Sequence, residues 1–205
     1  PMTGATPRRV ALVTTAGDRG GAEVVMETLA ARLGAHGVDV RMAAPDGSAN
    51  LARWQRAGWT VCPMPQMARL SHVAHGARVV SSMAERLRDA RIDLVHTHGV
   101  SAQIHAGLAA RRIGRPVVYH VHDLFNSHWS ADGCLHRAAL RVPTARTIAI
   151  SASVAASRRS RSPLFRWTRA GNRDQPATQI RAIPNTSDFF PFFFFFNNSA
   201  SIGSA

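Results

Sequence analysis

The sequence predicts an α/β fold, three layers deep, with a mostly parallel sheet covered by helices on both faces. Three observations carry that reading. Short β-rich runs alternate with amphipathic helical stretches along most of the chain, the pattern of right-handed strand–helix–strand units. The run PVVYHV at 116–121 has no polar alternation, as expected of a strand buried on both faces. Arg8–Thr15 (RRVALVTT) leads directly into the glycine-rich AGDRGG, a strand-to-helix junction.

Taken in order, Arg8–Thr15 is the first strand. A helix from about Ala22 to Leu33 follows, with Val25, Leu29 and Leu33 on one face at four-residue spacing. Gly34 and Gly37 are its stop signals. Val38–Ala43 is a second strand, ended by the turn Pro45-Asp46-Gly47. Leu51–Ala57 is a short helix, and Trp59–Cys62 a third strand. Ser71 caps a longer helix whose stripe is Val73, Ala77, Val80, Ala84 and Leu87. Ile92–His96 is the next strand, and a helix from about Ser101 to Ile113 stops at Gly114. After the strand at 116–121 come a weaker helix (Leu135–Val142) and the strand Thr147–Ile150. Ser151 is placed to cap a following helix, and Gln179–Ile183 is a last short strand.

Two segments break this regime. Residues 157–175 read as a basic insertion, and 189–205 as a phenylalanine-rich, low-complexity tail outside the fold. With residues 1–7 as an N-terminal tail, the folded domain is expected to span 8–188.

The 205 residues carry 25 basic against 12 acidic side chains, net +13. Every basic residue is an arginine, so coding bias accounts for part of the excess. No apolar run approaches the roughly 18 residues of a membrane span. The apolar run Val10–Val13 is too short for a signal peptide. Two cysteines, Cys62 and Cys134, make no disulfide framework. A reducing, cytoplasmic setting is therefore expected.

In an open parallel sheet, ligands bind beyond the carboxyl ends of the strands. Gly17, Gly20 and Gly21 open the first helix, where backbone N–H groups and the positive helix end can meet an anion. The spacing is not GxGxxG, and a plain tight turn is the alternative. Two more strand ends carry His96-Thr97-His98 and His120-Val121-His122. Residues two apart on a strand share a face, so each pair presents both imidazoles together. One reading is a metal centre, with Asp93 in the run DLVHTHG resembling the DxHxH entrance of metal-dependent amidohydrolases. The expected reading packs His96 and His120 into the sheet and leaves His98 and His122 facing the cleft.

GGAEVVMETLAARLGAHGVDV resembles the opening of the family 4 glycosyltransferases, whose first helix begins GGAE and ends near a G-H-x-V-x-V strand. Here the order is Ala35-His36-Gly37-Val38. DLVHTHGVSAQIHAGLAARRIGRPVVYHVHDLF is similar to that family's D-h-V-H-x-H, helix, G-x-P-x-V-x-T-x-H-D block. IAISASVA resembles the serine-bearing strand end that follows. IRAIPNTSDFF is similar to its P-N-G-hydrophobic-D segment, with Pro184, Asn185 and Asp188 kept and Thr186 and Ser187 departing. The ordered blocks span residues 8–190.

The resemblance implies a GT-B architecture, two Rossmann-like domains across a cleft, with this chain as the acceptor-side first domain. It implies transfer of a sugar, with retention and without a metal cofactor, from a nucleotide-sugar donor to a lipid, glycan or small-molecule acceptor. His122 matches the histidine beside the transferred sugar. Gly20 and Gly21 would meet the donor diphosphate, with Glu23 on the first helical turn. His98 and Asp123 would line the acceptor side, and Ser151 and Asn185 complete the expected binding residues. The family's second domain carries an E-x7-E pair. This sequence has three glutamates, Glu23, Glu27 and Glu85, so that domain is not found in it and the chain alone is expected to be inactive. A separate chain that supplies the donor domain is one expected partner.

Arg158, Arg159, Arg161, Arg166, Arg169 and Arg173 surround Phe165 and Trp167. A solvated basic loop is the plain reading, and contact with an anionic membrane, peripheral at its inner face, is the second. Nucleic acid is disfavoured, because no recognised binding signature accompanies the patch. A metal-dependent hydrolase and a non-catalytic basic binding module stand as the rival functions.

Overall fold

Alternation along the first strand organises the molecule. The computed structural model describes residues 9–66, 73–122, 131–151, 154 and 194–197. The elements run β1 (Arg9–Thr14), α1 (Gly21–Ala35), β2 (Asp39–Pro45), α2 (Ala49–Arg56), β3 (Val61–Met64) and α3 (Val73–Asp89). They continue with β4 (Leu94–His98), α4 (Val100–Arg112), β5 (Val117–Val121), α5 (Ala131–Arg141), β6 (Arg146–Ala149) and β7 (Phe194–Asn197). One sheet forms in the order β3-β2-β1-β4-β5-β6-β7. The first six strands are parallel. This is the Rossmann-like α/β arrangement that the sequence predicts.

Residues of opposite parity on β1 serve opposite layers. Val10 and Leu12 pack with Val40 and Met42 under Met26 and Ala30 of α1 and Leu51 and Trp54 of α2. Ala11 and Val13 pack on the other face with Val95 and Val117, under Met83 and Leu87 of α3 and Ala102 and Ala106 of α4. Tyr119 and Val121 extend that second layer toward Ala139 of α5. Gly107 lets α4 approach closely, since a Cβ there would lie 3.0 Å from Val142 Cγ1.

Several boundaries differ from the sequence reading. β4 lies two residues later than expected, because its pairing with β1 runs from Val10↔Leu94 to Thr14↔His98. Both His96 and His98 are therefore strand residues. β3 likewise begins at Val61, and Trp59 belongs to the turn after α2, its N–H donating to the Trp54 carbonyl at 2.9 Å. On α3 the buried stripe is Val79, Met83, Ala84 and Leu87, while Ala77 is exposed and Val80 half-buried. The tail was expected to stay outside the fold, yet Phe194–Asn197 pairs antiparallel with Arg146–Ala149. Phenylalanine suits a strand, and the edge of β6 otherwise presents unpaired backbone groups. The expected Ser71 cap and the strand at 179–183 lie outside the described residues.

α1 and α2 are joined by more than apolar contact. Trp54 is 1% exposed, and its Nε1–H donates to Glu27 Oε1 at 2.9 Å. The Arg53 guanidinium pairs with the same carboxylate, and Arg19 reaches its other oxygen at 3.2 Å. Burial alone would raise the Glu27 pKa, but the hydrogen bonds from Trp54, Arg53 and Arg19 outweigh it and hold the carboxyl below its ordinary value. Trp54→Ala is expected to lose about 3–5 kcal/mol through the cavity it leaves. Trp54→Phe keeps most of the volume but loses a hydrogen bond to a charged group, and should cost about 1.5–3 kcal/mol. Urea unfolding of both variants checks that order.

Candidate functional site

Strand order reverses at one place. From β1 the chain builds outward through β2 and β3, then crosses to β4 on the other side of β1 and continues through β5 and β6. Loops that leave β1 and β4 at their carboxyl ends therefore diverge and open a crevice, the usual ligand position in such sheets. The glycine loop after β1 and the histidines at the ends of β4 and β5 border this point.

The glycine loop is held from beneath. Asn50, wholly buried on α2, donates through Nδ2 to the Ala16 carbonyl at 2.9 Å and the Asp18 carbonyl at 2.8 Å. Its backbone N–H donates to the Gly17 carbonyl at 3.0 Å. Glu23 is buried on the third residue of α1. It accepts from Thr14 Oγ1 at 2.8 Å and from the Gly20 N–H at 2.8 Å. Both carboxylate oxygens thus tie the loop to the end of β1. A Cβ on Gly20 would come within 3.1 Å of Glu23 Oε2, whereas one on Gly21 would meet nothing within 4 Å. A side chain at Gly20 would crowd the Glu23 carboxylate that holds the loop, while Gly21 leaves open space at the helix start. Helix geometry leaves the first-turn N–H groups without intrahelical acceptors, so this end can receive an anion.

The four histidines of the two HxH pairs form one continuous group. His96 and His98 leave the same side of β4, and His120 is the register partner of His98 on β5. Ring centroids lie 4.6 Å apart for His96–His98, 5.5 Å for His96–His120 and 5.0 Å for His98–His120. His122 stacks on His120 at 4.4 Å, and its Nε2 is 2.9 Å from His98 Nδ1. The expected split is corrected here. His96 and His120 are buried as expected, but His98 is buried too, at 2% exposure. The register places His98 opposite Thr14, inside the sheet's end rather than above it. His122 alone of the four is half-buried.

Burial makes protonation unfavourable for the inner three. Burial, then the charge of His122, brings the His96 pKa down to about 3. Burial, then His96 and His122, brings His120 down to about 2. His98 is lowered well below its ordinary value, by burial first and then by His96, His120 and His122. At neutral pH the three are neutral imidazoles with available lone pairs.

Asp93 does not join them. It lies at the opposite end of the sheet, accepting from the Arg9 backbone N–H at 3.0 Å with Arg115 at 3.9 Å. About 16 Å of strand separates that end from the crevice. The DxHxH reading therefore loses its carboxylate. Ser151 follows β6 and accepts from the Val154 N–H at 3.2 Å, a local cap. Asp123, Asn185 and the arginine segment, with Arg158, Arg159, Arg161, Arg166, Trp167 and Arg169, lie outside the described residues. Sequence reasoning missed Thr14 and Asn50. Thr14 could have been noticed as the polar last residue of a buried strand, but nothing local marks Asn50.

Solved structures share this architecture. HepE of Anabaena, in complex with UDP and glucose, superposes with a TM-score of 0.58 at 17% identity, over 72% of this chain and 39% of that one. MurG of Acinetobacter baumannii gives 0.51 at 19% identity, over 64% and 39%. The lipopolysaccharide outer core galactosyltransferase WaaB gives 0.53 at 17% identity, over 74% and 42%. At such identities the likeness is one of fold, and the chain spans about two fifths of the length of these neighbours. No curated protein matches the chain by sequence. The Glycosyltransferase Family 4 model matches residues 19–166, well over half of the chain, and the chain belongs to that family.

Proposed function

We propose that this chain is the acceptor-binding half of a retaining glycosyltransferase. The complete enzyme would move a sugar from a nucleotide donor to a lipid, glycan or small-molecule acceptor. The observation that carries the reading is the placement of the glycine-opened start of α1 and of half-buried His122 at the carboxyl ends of β1 and β5, on the edge where the strand order reverses. UDP and UDP-glucose are bound by the HepE neighbour, and the nucleotide-sugar class is transferred from there.

Each residue then has a physical task. Gly21, with open space above its Cα, lets a diphosphate approach the first-turn N–H groups, while Glu23 and Asn50 hold the loop's shape. His122 meets a sugar hydroxyl or stabilises charge as the glycosidic bond breaks. His98 orients it through the Nδ1···Nε2 contact of 2.9 Å. Asp123, Ser151 and Asn185 are assigned to the acceptor side by family resemblance. No metal is assigned to the transfer step. Donor positioning, which supplies most of the rate advantage through orientation and electrostatics, is assigned to the enzyme's other half.

The 205-residue polypeptide is therefore expected to show no transfer from UDP-glucose or other nucleotide sugars to a panel of glycan and lipid acceptors. It should nonetheless bind an acceptor from that panel. His122→Ala, its fold checked by circular dichroism, should weaken this binding by up to about tenfold, the loss of one hydrogen bond. Sustained turnover by the isolated polypeptide would overturn the half-enzyme reading, and absence of acceptor binding across the panel would overturn the acceptor role.

We further assign the arginine-rich segment at 158–169 to contact with an anionic membrane, where a lipid acceptor would reside. No described helix is long and apolar enough to cross a membrane. Co-sedimentation should be strong with vesicles containing phosphatidylglycerol or phosphatidylserine and negligible with phosphatidylcholine alone. Each arginine near the surface should contribute about 1 kcal/mol, and the binding should fall steeply as salt screens the charges. Equal binding to both vesicle types removes the assignment.

A further inference from the structure

We propose that His96, His98 and His120 form a buried site for a divalent transition metal of the zinc class. The inference stands on ring geometry and does not depend on the glycosyltransferase reading.

The backbone already sets the triangle. His96 and His98 stand two residues apart on one side of β4, and the parallel register sets His120 directly beside His98. One nitrogen from each ring can be chosen so that all three lie within 4.8 Å of one another. Tetrahedral zinc with bonds of about 2.0–2.1 Å needs ligand nitrogens about 3.4 Å apart and ring centroids about 5 Å apart. The observed centroid separations, 4.6, 5.0 and 5.5 Å, bracket that value. The ring planes are inclined by 19–45°, more stacked than converging. Metal uptake would have to draw the three nitrogens, now within 4.8 Å of one another, to a common point by rotation about χ2.

Two orphaned polar atoms mark where the ion would sit. Nε2 of His96 and Nε2 of His98 are buried with no hydrogen-bond partner among the described residues. An unsatisfied buried polar group costs about 1–3 kcal/mol, so a fold that keeps one on each of two neighbouring rings gains from an ion that satisfies both. His98 is already oriented for this role. Its Nδ1 is engaged by His122, which leaves Nε2 for the metal and gives the ring an outer hydrogen-bond partner of the kind that orients metal-bound imidazoles. Three neutral nitrogen donors without a nearby carboxylate select zinc, cobalt, nickel or copper over magnesium and calcium, which prefer oxygen. Such an ion would cross-tie β4 to β5 directly beneath His122 and fix that ring's position.

The test uses the full chain without a histidine tag, stripped with chelator and dialysed. Expected are one equivalent of zinc per chain by elemental analysis and a rise in Tm with zinc but not with magnesium. Cobalt should give the visible absorption of a nitrogen-ligated tetrahedral centre. On the unmodified protein, zinc should also shift the imidazole nitrogen resonances of the three histidines. His96→Gln and His98→Gln should each abolish stoichiometric binding. His122→Gln should weaken it about 10- to 100-fold, and His36→Gln, at an exposed residue, should leave it unchanged. Failure of the stripped wild-type chain to take up zinc overturns the site, as does uptake that survives His96→Gln with His98→Gln. Because wild-type stoichiometry and resonances need no variant, a substitution that unfolds the protein leaves the proposal open to refutation.

Discussion

The reversal of strand order at β1 is the constraint on which the rest depends. A parallel sheet that grows in one direction leaves each loop to follow its neighbours, and no gap forms at the strand ends. Here β2 and β4 flank β1 on opposite sides, and the two loops must part. The same reversal gives β1 two parallel neighbours, burying Ala11, Leu12 and Val13 completely. A fully enclosed strand therefore ends at the point where the loops part. Thr14, the last residue of that strand, accordingly has two jobs. It pairs in register with His98 and donates to Glu23, so the glycine loop and the histidines share one anchor.

The local chemistry of the loop follows from that anchor. A buried carboxylate is costly unless its oxygens are satisfied. Glu23 meets this with one hydroxyl and one backbone N–H, both drawn from the junction it stabilises. The second half of a capping box is unavailable, because the residue before α1 is glycine. Asn50 supplies the missing hold from α2 by binding the loop's carbonyls. A glycine-rich segment that would otherwise sample many conformations is fixed by Thr14, Glu23 and Asn50. Glu23 takes the Gly20 N–H at the helix start, and the first-turn N–H groups beyond it lack intrahelical acceptors.

Much of the fold was legible because its segments obey one period each. The unbroken apolar run of β5 and the glycine-bounded α1 needed no tertiary information. What failed was position along the sheet. Periodicity recognises the β4 run but cannot say where pairing with β1 begins, and the two-residue shift moved His98 from the cleft into the core. The α3 stripe failed for a related reason. Val79 and Val80 are adjacent apolar residues, and only packing against α4 decides which faces inward. β7 was illegible because a phenylalanine run has no alternation; its partner, the open edge of β6, exists only once the sheet does. Of the site, the residue types and their sharing of a face were readable from the HxH spacing. Their fusion into one column required the β4–β5 register, and Asn50, more than thirty residues from the loop carbonyls it binds, carries no local mark at all.

The histidine column also explains why one member can serve a ligand while the others serve the fold. Charge on any inner ring would be buried beside three other imidazoles, and desolvation keeps His96, His98 and His120 neutral. Neutral rings stack closely, and stacking fixes each by its neighbours. His122 ends this series, half-buried, braced by His120 on one side and by the His98 nitrogen on the other. A side chain at the mouth of a crevice normally loses rotamer freedom when it engages a ligand. Here the column has already restricted it, so the cost falls on folding rather than on binding. Orientation of the outermost imidazole is thus a property of the buried three, whether an ion or only their own packing holds them.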